Sequence, residues 1–467
     1  MANRSIFPIV VLLLVILPLQ AQTKFINETE IQKKERMAWW IHDRFGMFIH
    51  WGIYAMPARH EWVKRHEQIP DEEYQKYFEL FNPDLYNPAA WARKAKEAGM
   101  KYAVITTKHH DGFCLFDSRY TDYKATNTPI GKDLIKEWVE AFRAEGLKVG
   151  FYYSLLDWHH PHYTIDRNHP LVERGKGETE EYEEKYAVWN KDRNMDIYRR
   201  YVKDQVTEIL TNYGKIDILW LDYSFPTGNH GKGRNDWDSE GLLKLVRELQ
   251  PGIILNDRLD LLDVEGGWDF TTPEQYKVSQ WPERNGVKVP WETCQTFSGS
   301  WGYYRDEATW KDPKQLLTLL IESVSKGGNL LLNVGPTARG TFDSRASERL
   351  EAMGEWMKYN SRSIYGCTEA PAGFTAPEHS LMTYNPATRR LYIHLLNYPL
   401  QRYTLKGFAG KVKYAQFLHD GSEIQFGEPR HNVTYQETRA EEDVILLLPV
   451  VKPNVEIPVI ELILNEM

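Results

Sequence analysis

Short polar and aromatic clusters follow apolar, β-type runs at regular intervals along the chain. Phe45-Gly46-Met47-Phe48-Ile49-His50-Trp51-Gly52 ends in a histidine and a tryptophan, and Lys108-His109-His110-Asp111-Gly112-Phe113 sets two histidines side by side. Gly150-Phe151-Tyr152-Tyr153-Ser154 runs on into Asp157-Trp158-His159-His160-Pro161, Trp220-Leu221-Asp222 closes a further run, and Asn256-Asp257-Arg258 another. Polar and aromatic side chains at five successive strand ends exceed what packing needs and describe a pocket for a small polyhydroxylated ligand. Cleavage of a glycosidic bond takes two carboxyls, one as nucleophile or base and one as proton donor. Asp217 and Asp222 are five apart on one strand and so face opposite ways; Asp222, at the C-terminal end and on the face of Trp220, is the one aimed at such a pocket. The second carboxyl is Glu274, in Trp268-Asp269-Phe270-Thr271-Thr272-Pro273-Glu274, or Glu292, in Pro290-Trp291-Glu292-Thr293-Cys294. Spacing alone leaves both open.

The elements that must hold these groups alternate in kind. Strand-like runs at 47–51, 102–107, 148–154, 216–222, 253–256 and 329–334 are separated by helical periodicity at 88–98, 133–145, 192–210, 239–249 and 313–325, several opened by Pro, Asp or Ser. Repeated β-then-α units with buried strands predict a parallel sheet, and their number over more than 300 residues favours a closed (β/α)8-like TIM barrel over an open doubly wound sheet. Beyond the helix ending near residue 360 come short alternating runs at 380–384, 391–396, 403–405, 412–418 and 444–448, the texture of an antiparallel β-sandwich. The expected domains are 22–368 for the barrel and 369–467 for the sandwich.

Composition narrows the function class. The 467 residues carry a net charge of −8, which offers no basic surface to nucleic acid. Three widely spaced cysteines form neither a disulfide framework nor a Cys-based zinc site. Sixteen tryptophans and 27 tyrosines suit stacking on sugars, although large cores also absorb them. Arg4, an apolar stretch at 6–19 and Gln20-Ala21-Gln22 read as a signal peptide over residues 1–21. A membrane anchor would want about 20 continuous apolar residues, so the mature chain is expected to have no membrane span. A metal-dependent hydrolase is the competing enzyme class, given His160-Pro161-His162. That pair, however, lies in a proline-containing loop, and His109 and His110 would diverge on a continuing strand.

Several motifs in order make the chain resemble the α-L-fucosidases of glycoside hydrolase family 29: FGMFIHWG at 45–52, HEW at 60–62, KHHDGF at 108–113, GFYYSLLDWHHP at 150–161, LWLD at 219–222, NDR at 256–258, WDFTTPE at 268–274 and KGGNLLLNVGP at 326–336. The resemblance implies a barrel followed by a β-sandwich, Asp222 as nucleophile and Glu274, rather than Glu292, as general acid/base. It places His50, Glu61, Trp62, His109, His110, Tyr153, Trp220 and Arg258 on the fucose, with Tyr152 the alternative to its neighbour Tyr153. It implies no metal and no cofactor, and a fucosylated glycan as partner; the signal peptide points to a secreted or periplasmic location, or a lysosomal one in a eukaryotic cell. An α-L-galactosidase on the same scaffold, or a fucose-binding protein without activity, are the alternatives. In the expected mechanism Glu274 is the buried, protonated partner, while Arg258 or backbone donors keep Asp222 ionised.

Overall fold

A computed structural model describes residues 28–226, 230–427 and 442–465; the expected signal peptide, 1–21, lies outside the described residues. Strands β1 (Phe45–Ile49), β2 (Tyr102–Lys108), β3 (Lys148–Ser154), β4 (Ile218–Asp222), β5 (Ile254–Leu255), β6 (Glu292–Thr296) and β7 (Asn329–Val334) make one parallel sheet in the order β5-β4-β3-β2-β1-β7-β6. The extended segment 270–274 joins its two edges. It makes parallel bridges to Asn256 just past β5 on one side and to Trp291 and Cys294 on the other. This segment supplies the last stave of a (β/α)8-like barrel.

The helices Pro88–Glu97, Leu134–Ala144, Met195–Thr211, Ser239–Leu249 and Pro313–Ser325 fall where the periodicity put them. Each starts at a side chain that accepts a backbone N–H of the first turn: Asn87, Asp133, Asn194, Asp238 and Asp312. Each lays an apolar stripe on the outside of the sheet; Leu134, Ile135, Trp138, Val139 and Phe142 are one such stripe. β6 was not expected. Its sequence, Glu-Thr-Cys-Gln-Thr, has no apolar run, because its inward positions carry Glu292, Cys294 and Thr296.

Inside the barrel Phe48, Val104, Tyr152, Ile218, Trp220, Phe270 and Leu331 fill the bore. The helix Glu30–Asp43, also outside the sequence expectation, closes the lower end with Met37 and Trp40, the latter 4.8 Å from the Phe270 ring. At this floor Tyr102 Oη donates to Glu292 Oε2, and Asn329 Nδ2 donates to the Trp40 carbonyl at 2.9 Å. Glu292, the sequence-level competitor for the acid role, therefore sits at the opposite end of the barrel from Asp222. Burial pushes its carboxyl up to about 8.

The C-terminal unit holds β8 (Ser380–Asn385), β9 (Arg390–Leu395), β10 (Arg402–Leu405), β11 (Val412–Phe417), β12 (Gln425–Gly427), β13 (Val444–Leu447) and β14 (Val459–Leu464). Antiparallel sheets β8-β9-β14-β11 and β10-β13-β12 enclose a core of their own. Along β9, Leu391, Ile393 and Leu395 face that core while Tyr392 packs with the barrel cluster, the period-two alternation of a sheet covered on both faces. Trp356, on the helix Ser344–Asn360, donates its indole N–H to the Ile457 carbonyl at 2.8 Å and ties the two units together.

Candidate active site

At the C-terminal ends of the strands a cavity of about 450 Å³ is walled by Phe48, Trp62, Tyr152, Trp220, Tyr223 and Trp301. Strand alternation brings Asp222 there: Ile218, Trp220 and Asp222 face the bore in turn. Asp217, on the other face, accepts from Val149 N at 3.1 Å and pairs with Lys215. Phe270, Thr272 and Glu274 share the inner face of segment 270–274 by the same rule.

Arg258 joins the two carboxyls. Its Nη1 donates to Asp222 Oδ1 and its Nη2 to Glu274 Oε2, both at 3.0 Å. Nε is fixed by Thr272 Oγ1 at 2.9 Å, and the guanidinium lies 4.8 Å from the Trp220 ring centroid. Every nitrogen of the group is thus committed to protein, so Arg258 acts on the carboxyls more than on a ligand. Asp222 Oδ2 accepts from Tyr152 Oη at 2.8 Å, which fixes the carboxylate at both oxygens.

The burial runs opposite to the sequence expectation. The Asp222 side chain is 14% exposed and that of Glu274 is 42%, because Glu274 closes an edge stave at the rim while Asp222 ends a central strand. Burial pushes the Asp222 carboxyl above its ordinary value; Arg258 opposes this, Glu274 adds to it, and the Tyr152 hydroxyl opposes it. Tyr223 follows at φ +84 and Gln275 follows Glu274 at φ +52. A left-handed backbone at a tyrosine is strained, and such strain gathers where a side chain must be aimed.

Three histidines line the cavity. The chain leaves β2 after Lys108 and turns, with Gly112 N donating to the His109 carbonyl. His109 and His110 therefore both enter the cavity, ring centroids 4.0 Å apart, and do not diverge as on a continuing strand. Gly112 sits at φ +80, where a Cβ would come within 2.3 Å of Asp157 Oδ1. Asp157 in turn pairs with fully buried Lys108 at 3.0 Å and locks the loops after β2 and β3 together. Burial drives His50 down to about 3 and His109 and His110 well below their ordinary value, so all three are neutral imidazoles.

Hydrogen bonding then fixes two tautomers. Asn333 donates Nδ2 to the Trp301 carbonyl at 2.6 Å, leaving its Oδ1 to accept from His50 Nδ1 at 2.7 Å. Ser154 donates to the Leu156 carbonyl and accepts from His110 Nδ1, each at 2.7 Å. Both rings present bare Nε2 acceptors. His109 Nδ1 and Trp220 Nε1 are buried with no hydrogen-bond partner among the described residues.

Two expected ligand contacts are placed elsewhere. Tyr153 faces away from the bore and donates to Gln205 Oε1 at 2.8 Å; of this adjacent pair it is Tyr152 that lines the cavity. Glu61 lies behind the wall, where its Oε2 accepts from Ser300 Oγ and from the backbone of Trp301 and Gly302 at 3.2, 3.1 and 2.8 Å. It holds Trp301, a wall residue the motifs did not single out; the Ser-Gly-Ser-Trp-Gly run at 298–302 was its only trace. Among the described residues no group of three or more His, Cys, Asp or Glu gathers as metal ligands would.

A closed (β/α) barrel that presents two arginine-bridged carboxyls in an aromatic pocket at its strand C-termini has the make-up of a glycoside hydrolase. The chain belongs to the α-L-fucosidases of glycoside hydrolase family 29: the family model described as Alpha-L-fucosidase matches residues 13–362. It is 29% identical over 412 residues to the plasma α-L-fucosidase of Homo sapiens, covering 82% of this chain and 81% of that protein. Among solved structures it resembles α-L-fucosidase isoenzyme 1 from Paenibacillus thiaminolyticus, at 44% identity and TM-score 0.83, over 93% of this chain and 100% of that one. It also resembles a family 29 fucosidase of Bacteroides thetaiotaomicron trapped as a covalent intermediate with 2-fluoro-fucosyl fluoride, at 27% identity and TM-score 0.76, over 96% and 100%.

Proposed function

We propose that this chain is an exo-acting retaining α-L-fucosidase that removes terminal α-L-fucosyl residues from glycans, with Asp222 as nucleophile and Glu274 as acid/base. The Arg258 bridge carries the reading: one guanidinium holds a buried carboxylate, fixed at both oxygens, beside a rim carboxyl open to the leaving group. Asp222 attacks the anomeric carbon as the glycosidic C–O bond breaks, and Glu274 gives its proton to the departing oxygen. Glu274 then takes a proton from water, whose oxygen displaces Asp222 from the sugar. Two inversions leave the configuration unchanged.

The bare Nε2 atoms of His50 and His110 would accept from sugar hydroxyls, and His109 Nδ1 and Trp220 Nε1 are buried polar atoms that a bound hydroxyl would satisfy. Phe48, Trp62 and Trp301 offer apolar surface to the ring and its methyl group. We take 22–368 as the catalytic unit and 369–467 as the sandwich. Residues 1–21 we read as a signal peptide that sends the enzyme out of the cytoplasm.

The test uses a neutral nitrophenyl α-L-fucoside. Proton NMR should show α-fucose as the first anomer released. Asp222→Gly should lose at least about a thousandfold in kcat and regain activity with azide, giving β-fucosyl azide. First release of the β anomer, or near-normal turnover by the variant, would refute the assignment. Because burial raises the Asp222 carboxyl, the acid limb of kcat/KM should fall above the ordinary carboxylate value of about 3.9.

A further inference from the structure

A second cavity, of about 820 Å³, opens on the same end of the barrel and shares Trp62 with the first. The indole is the partition. On one side it meets His110 edge-on at 5.0 Å and Tyr223 at 6.1 Å; on the other it stacks with His66 at 6.3 Å. The far cavity is built from the loop after β1, with Arg65 and His66, and the long loop after β3, with Arg167, Arg174 and Glu178. Loops at the C-terminal face of a barrel are where substrate is engaged.

The lining is cationic. Three guanidiniums meet one carboxylate, Glu178, which already pairs with Arg167 at 3.5 Å. Arg65 is buried, and it places Nε and Nη2 on the carbonyls of Asn168 and Arg167 at 3.1 and 2.9 Å. Its Nη1 donates to nothing among the described residues. Arg174 makes no hydrogen bond or ion pair among them, and its charge bears on both Arg65 and His66. The charges of Arg65 and Arg167 also reach Tyr223, a wall of the catalytic cavity. Like charges gathered in a partly desolvated cleft repel, and an anion placed among them relieves the repulsion while accepting charge-assisted hydrogen bonds.

We infer that this cavity is a subsite for the leaving-group glycan, and that it selects an anionic sugar, one bearing a sulfate or a carboxylate. The inference rests on the fucosidase reading above and adds the substrate class. A fucosyl unit in the first cavity leaves its aglycone at the rim, and Trp62 is the part of that rim common to both spaces. The side chains that face the aglycone across this rim are arginines.

Three fucosylated oligosaccharides test it: one neutral, one sulfated on the aglycone, and one carrying a carboxylate sugar at the same place. The wild type should show kcat/KM about tenfold higher for one or both anionic glycans than for the neutral one, through a lower KM. Raising salt from about 0.05 to about 0.5 M should shrink that ratio. Arg174→Gln should bring the ratio close to one. Preference for the sulfated or the carboxylated glycan identifies the source of the charge. A wild-type ratio near one, or a ratio that Arg174→Gln leaves intact, overturns the subsite. Failure of the wild type to hydrolyse any of the three would instead sink the fucosidase reading itself.

Discussion

Adjacent on β3, Tyr152 and Tyr153 face opposite sides of the sheet, and a matched pair of substitutions separates their parts. Tyr152→Phe removes the hydroxyl that donates to Asp222, a hydrogen bond to a charged group worth about 1.5–3 kcal/mol. We expect kcat/KM to fall about ten- to a hundredfold. The Tyr152 hydroxyl favours the ionised Asp222, so its loss should move the acid limb of the pH profile upward. Tyr153→Phe breaks only the contact to Gln205 and should cost about 1 kcal/mol of stability with kcat close to wild type. Kinetics and melting of the two variants check both halves. At this scale strand direction and alternation were enough to pick Asp222 over Asp217, but alternation says only that Tyr152 and Tyr153 face opposite ways, and the expectation took the wrong one of the two into the cavity. The sequence was not legible where the chain turns. His109 and His110 leave the strand before alternation could separate them, and Glu61 is engaged by a backbone stretch some 240 residues away that no local spacing reveals.

Among elements, β6 and segment 270–274 were hidden for a common reason: their inward positions carry Glu292, Cys294, Thr272 and Glu274 in place of the aliphatic run that marks a barrel strand. The six strands that do have such runs were all readable. β6 invites a direct test, since its first residue is a carboxyl buried at the barrel floor. Burial raises the folded Glu292 to about 8, against about 4.3 in the unfolded chain. Its stabilising contribution is therefore complete below about pH 4.3 and is lost as pH rises towards 8. Glu292→Gln should flatten stability across that window and raise it at pH 8 by up to a few kcal/mol, with kcat within about threefold of wild type. Denaturant melts at pH 5 and pH 8 measure the first; a large loss of kcat would place Glu292 in the chemistry instead.

For the whole molecule, the sandwich is a buttress in the literal sense that barrel helices pack on its sheet. Trp356 is buried in that junction and hydrogen-bonds across it. Trp356→Ala should cost about 3–5 kcal/mol. Assayed at a temperature where the variant is still folded, the Michaelis constant for a small fucoside should be unchanged, because the junction lies outside the catalytic cavity. A shifted KM would mean that the sandwich sets the geometry of the site as well as supporting it.

The barrel is a cul-de-sac. Below the cavity the bore is stopped by Trp220, Phe270 and Leu331, then by the Tyr102–Glu292 pair, and finally by Trp40 of the first helix. Everything that enters must leave by the same door, and this orders the traffic of the reaction. The fucosyl end of a glycan goes in first and stays, and the remainder of the glycan stands in the doorway. Water reaches the glycosyl–enzyme only after that remainder has stepped out. Any other hydroxyl compound that takes the vacated threshold would compete with water for the sugar, so fucosyl-transfer products are expected at high acceptor concentration, and chromatography of the reaction mixture checks for them.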